Sequence, residues 1–167
     1  MTNLHENRKT NNRSHILAGH CYCGGVQYEV DTSKGKPLWP PSYCHCDSCR
    51  RAHSAPLYSV VSINQNTQWN LLQGQELLQS FCRPATSATK EGPTRVFCKV
   101  CGSKIMNEWD ESKTPWLPQG TKMMVFFPDT LRPEDRSKLP PSYQVKRHNC
   151  PEESVLDMKL MSQLDNH

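Results

Sequence analysis

The alternation of apolar and polar side chains divides this chain into short extended segments. "GGVQYEV" alternates with a period of two and predicts a strand over 26–30. "PLYSVVSI" (56–63) is rich in β-branched and aromatic residues and predicts another. "QWNLLQGQELLQSF" is split by Gly74 and is read as two strands round a turn. "RVFC" (95–98) and "SKIMNE" (103–108) flank a cysteine pair as strands entering and leaving it. "TKMMVFF" (121–127) is the most apolar run and is expected to lie centrally in a sheet. "YQVKRH" (143–148) reads as a last strand, and "TLRPEDRSKL" as one short helical turn. "KGKPLWPPS" and "CRPATSATKEGPT" are loops by their proline and polar content. The closing "ESVLDMKLMSQL" has helical spacing. Thirteen prolines scattered along the chain disfavour long helices. The pattern predicts a mainly β domain of short strands.

At 167 residues the chain suits a single domain. We assign 1–14 to a flexible polar tail, 15–150 to the domain and 151–167 to a C-terminal extension containing a short helix. No stretch approaches the roughly 20 apolar residues of a membrane helix, so no membrane association is expected. The polar N-terminus lacks the apolar segment of a secretory signal, which implies a reducing, cytoplasmic setting, with the nucleus as an alternative.

Nine cysteines change the picture. Seven fall in tight groups: Cys21 and Cys23 in "HCYCGG", Cys44, Cys46 and Cys49 in "YCHCDSCRRAH", and Cys98 and Cys101 in "FCKVCGS". An odd total in a reducing compartment argues against a disulfide framework. Neighbours in Cys-x-Cys cannot pair without strain, whereas a turn converges both sulfurs on one cation. Zinc suits thiolate sites, and the spacings match no ferredoxin pattern. A closed structural zinc takes four ligands and a catalytic one three, leaving a position open. Seven sulfurs therefore accommodate two Zn²⁺ per chain, most economically as two pairs and one triplet. Completion of the triplet by His20, His45, His53, Cys82 or Cys150 is the alternative; otherwise Cys82 and Cys150 are ordinary thiols. The formal charge of +4 suggests nucleic acid. However, the basic residues form no run, and two zinc ions on seven thiolates reduce the net charge to about +1.

In order and spacing, "GHCYCGGVQYEV", "CHCDSCRRA" and "RVFCKVCGSKI" resemble the signatures of the glutathione-dependent formaldehyde-activating enzyme (GFA) family, which includes the centromere protein V group. The similarity runs from about residue 15 to 150, loosely after 128, and "RRAHSAP" has His53 and Ser54 near where members often carry glycine. The resemblance implies a small Mss4-like (β-tent) zinc fold of short antiparallel strands. It further implies a structural zinc on Cys21, Cys23, Cys98 and Cys101, and a second, open zinc on Cys44, Cys46 and Cys49. The expected activity is that of a carbon–sulfur lyase, an S-(hydroxymethyl)glutathione synthase type joining glutathione or a similar thiol to formaldehyde or a related small aldehyde. Arg50 and Arg51, just after the last triplet ligand, are candidates to hold a carboxylate of that thiol. The competing reading is a non-catalytic zinc module that carries glutathione or binds protein or nucleic acid.

Overall fold

The computed structural model describes residues 14–87, 91–159 and 161. Ten short strands form two sheets. The smaller is antiparallel, in the order β1 (Ile16–His20), β2 (Gln27–Asp31), β5 (Trp69–Gln73). The larger has seven strands. Their order is β10 (His148–Asn149), β3 (Trp39–Cys44), β4 (Tyr58–Asn64), β9 (Met123–Phe126), β8 (Lys104–Glu108), β7 (Thr94–Cys98), β6 (Leu78–Cys82). All its pairings are antiparallel except β10 on β3. Helices are short: α1 (Asp47–His53), α2 (Gln65–Gln68) and α3 (Pro133–Arg136). Among the described residues no helix is long and apolar enough to cross a membrane.

The core forms where the sheets meet. Leu17, Tyr28 and Val30 of the small sheet pack with Val61, Ile63, Ile105, Met124 and Phe126 of the large one, all fully buried. Tyr28 stacks on Trp69 at 4.1 Å between ring centroids, and its hydroxyl is 2.5 Å from Thr130 Oγ1. The apolar run at 121–127 does supply the central strand of the large sheet.

Two expectations are corrected and a third is refined. The segment 143–148 is not a strand; only His148 and Asn149 pair, while Tyr143 is buried in a turn with its hydroxyl donating to the Gly35 carbonyl at 2.8 Å. The proline-rich "WPPSYC" is a strand rather than a loop. Its register against β4 shifts between Trp39 and Ser42, so Pro40 and Pro41 sit where no ladder amide is required. The two strands either side of Gly74 do form, but in different sheets. Gly74 is left-handed at φ 84°, and a Cβ there would stand 2.4 Å from the Gly25 carbonyl oxygen. Gly74→Ala is therefore expected to combine left-handed strain of about 1–2 kcal/mol with a backbone clash. Thermal melting should show a drop of several degrees; an unchanged midpoint refutes this account of the crossover. The expected tail lies largely outside the described residues. In the extension, residues 151–153 form a single tight turn and 158, 159 and 161 are helical.

Candidate metal centres and cleft

Two hairpin loops, one from each sheet, meet at the first cluster. Cys21 follows β1 and Cys98 ends β7. Both loops use the same local chemistry. In the first, the Gly24 amide donates to the Cys21 carbonyl at 2.9 Å. In the second, the Gly102 amide donates to that of Cys98 at 2.8 Å. Each glycine directly follows the second cysteine and is left-handed, at φ 74° and 75°. A Cβ at either would touch nothing within 4 Å, so glycine serves the backbone angle rather than space. The turns bring Cys21, Cys23, Cys98 and Cys101 sulfurs within 4.8 Å of one another, with Cys21 to Cys23 at 3.4 Å and Cys23 to Cys98 at 3.9 Å. Zinc–sulfur bonds of 2.3 Å in a tetrahedron place sulfurs about 3.8 Å apart, so this set fits a four-thiolate ion. The Val26 amide donates to Cys21 Sγ at 3.2 Å, as expected for an anionic sulfur.

The second cluster spans the end of β3 and the start of α1. Cys44 closes the strand, Cys46 caps the helix and Cys49 lies in its first turn. Their sulfurs also lie within 4.8 Å of one another, with Cys44 to Cys46 at 3.6 Å. Among the described residues no fourth Cys, His, Asp or Glu joins this group within that distance. His45 points elsewhere, its Nε2 lying 2.7 Å from His148 Nδ1. His20 Nδ1 is 2.8 Å from the Cys21 carbonyl. Cys82 lies on β6, 3.2 Å from a Glu91 carboxylate oxygen. Asn149 of β10 directs its side-chain amide at Cys44 Sγ, 3.8 Å away.

Crowding polarises the bare sulfurs. The Cys44 and Cys46 thiols, opposed by burial and helped by the Tyr58 hydroxyl and Arg95, pull Cys49 down to about 2. Cys46 is pushed up by its bonds to Cys44 and Cys49 and by burial. Three crowded thiols resist ionising together, and a divalent ion is what lets all three do so.

Around this cluster the side chains are apolar and aromatic. Tyr58 packs with Cys44 and Phe127, and His53 stacks on Tyr58 at 3.8 Å. Burial holds His53 down at about 4 even though the Cys49 charge raises it, and its Nε2 is buried with no hydrogen-bond partner. The far side of Tyr58 and His53 lines a cleft of about 460 Å³. Phe127, Lys104 and Asp129 contribute to its walls, and Cys101 of the first cluster reaches it. The cleft is thus lined by a sulfur of the first cluster, while the three sulfurs of the second do not line it and are approached only through Tyr58 and His53. Arg50 and Arg51 do not line it. Arg50 donates to the His45 carbonyl at 2.9 Å and sits 3.4 Å from Asp47. Arg51 lies exposed, 2.8 Å from the same carboxylate. Sequence reasoning missed Lys104, His53 and Tyr58 as cleft residues, because only the strand order of the large sheet, with β9 between β4 and β8, and the seat of α1 bring them together.

Two thiol clusters, one of four sulfurs and one of three, on a small mainly β scaffold define a class of cysteine-rich β proteins whose clusters could hold metal. The glutathione-dependent formaldehyde-activating enzyme family model matches residues 16–135, and the chain belongs to that family. It is similar to an uncharacterized lyase of Schizosaccharomyces pombe, with 26% identity over 120 residues, covering 65% of this chain and 72% of the relative.

Proposed function

We propose that this protein is a zinc-dependent carbon–sulfur lyase of the synthase type, joining glutathione or a similar thiol to formaldehyde or a related small aldehyde. In this reading Cys21, Cys23, Cys98 and Cys101 hold a structural zinc, and Cys44, Cys46 and Cys49 hold the working one. The observation that carries the reading is the second cluster, three convergent sulfurs with no fourth protein ligand among the described residues. A Zn²⁺ bound there supplies an open position suited to a further thiolate, which it keeps ionised at neutral pH.

The chain's own groups then position the reactants. Tyr58 and Phe127, packed against the cluster, restrict water there, and the Tyr58 and His53 rings have to turn aside for a thiol in the cleft to reach it. Lys104, at 4.7 Å over the Phe97 ring, presents a cation at the cleft for a carboxylate of the thiol. Arg51 is held only by an exposed pairing with Asp47, worth about 0–1 kcal/mol, and is free to turn toward a second carboxylate at small cost, whereas Arg50 would first have to give up its bond to the His45 carbonyl. The aldehyde needs only to be held against the thiolate: the carbon–sulfur bond forms as the carbonyl π pair moves to oxygen, which takes up the proton the thiol released. Holding both reactants together is the principal source of acceleration.

Exchange NMR of S-hydroxymethylglutathione formation, with zinc-loaded protein at catalytic concentration, tests this. Acceleration over the spontaneous rate is expected. Glutathione binding with no acceleration overturns the enzyme reading and assigns the protein as a carrier.

A further inference from the structure

Arg95 is the one strongly basic side chain buried in the molecule's described part, at 8% exposure. It projects from β7, the strand that ends in Cys98 of the first cluster, and crosses to α1, the helix that carries Cys49 of the second. Its Nη2 lies 3.1 Å from Ser48 Oγ, 3.5 Å from the Ser48 carbonyl and 4.0 Å from Cys49 Sγ. Its Nη1 is buried and has no hydrogen-bond partner.

Both facts need a reason. A buried guanidinium is costly unless a negative charge offsets it, and an idle buried N–H adds a desolvation cost of about 1–3 kcal/mol. Fastening α1 to β7 does not explain the arrangement, because Nη2 alone serves Ser48. Three thiolates on a divalent cation carry a net charge of −1, and a fourth thiolate raises this to −2. That second charge enters a largely buried site. The cation in contact with Cys49 is Arg95, and one nitrogen of its planar fork is unused.

We propose that Arg95 is a specificity residue for the ionised sulfur of the incoming thiol: Nη2 faces Cys49, and Nη1 donates to the visiting thiolate. This rests on the open three-sulfur site described above, but not on turnover. The ligand class it selects is a thiolate, as opposed to a neutral thioether, at the position completed by the substrate.

The test is isothermal titration of zinc-loaded protein with glutathione and with S-methylglutathione, whose sulfur cannot ionise. Loss of a charge-assisted hydrogen bond in Arg95→Gln is expected to weaken glutathione binding about tenfold to hundredfold. S-methylglutathione should change by less than about twofold, and metal content should remain as in the unmodified protein. Ser48→Ala removes the hydroxyl partner of Nη2 and leaves Nη1 in place, so it should bind glutathione normally. Should Arg95→Gln fail to fold, Arg95→Lys carries the test. It keeps the charge but not the fork, and is expected to bind glutathione about tenfold more weakly than the unmodified protein. Unmodified glutathione affinity in the metal-loaded variant, or equal weakening toward both ligands, overturns the proposal. Wild-type protein that binds glutathione without accelerating its addition to formaldehyde removes the proposed activity and leaves the Arg95 assignment standing.

Discussion

Cys98→Ser is expected to leave the chain without a cooperative fold. Cys98 is fully buried at the end of β7, and its sulfur meets that of Cys23, 75 residues earlier, at 3.9 Å. The cluster clips a loop of the small sheet to a loop of the large one. An ion there closes a long chain segment, where a cross-link removes the most unfolded-state entropy. Structural zinc contributes about 10–16 kcal/mol in small domains, comparable to the whole stability of an ordinary domain at about 5–15 kcal/mol. Loss of one of the four ligands, and one of the two that are buried, therefore threatens the entire fold. Far-UV circular dichroism and metal content of the purified variant check this. A folded variant retaining full metal would show that the sheets hold together unaided.

Cys46→Ser should behave in the opposite way. Cys46 is half-buried at the start of α1, and that helix buries none of its own residues. Losing its thiolate should release about one metal equivalent, lower the melting temperature by only about 2–4 °C per kcal/mol lost, and reduce aldehyde addition to the spontaneous rate. Elemental analysis, melting and exchange NMR on one preparation separate these readouts. Equal unfolding of the two variants would refute the division into holding and working sulfurs.

The strand at 26–30 was legible because its apolar residues face the core with the pleat's period of two, 56–63 because of its β-branched and aromatic residues, and 95–98 and 103–108 because they flank a cysteine turn. β1 was not. Its inward positions are Leu17 and Gly19, and a Cβ at Gly19 would strike the Tyr28 ring at 2.3 Å. The space a side chain would fill belongs to Tyr28, so the alternation is erased. α1 was hidden for a related reason: it buries no residue and carries no apolar stripe. At the sites, cysteine spacing revealed the three groups, since turn geometry and sulfur convergence are local. The identity of the cleft walls was not local. Tyr58 and Phe127 lie 69 positions apart and meet at 5.4 Å only because β4 and β9 are neighbours. Arg95 was invisible as a functional residue because its role depends on β7 crossing toward α1.

The two-residue parallel bridge of β10 onto β3 carries a consequence for the three-sulfur cluster. The family match ends at residue 135, yet His148 and Asn149 reach back to His45 and Cys44, and Glu153 accepts the Asp47 amide at 2.7 Å. One rim of the three-sulfur cluster is thus drawn from a stretch beyond the family match. A substitution in this strap would therefore reshape the surroundings of Cys44 without touching any of the seven clustered sulfurs.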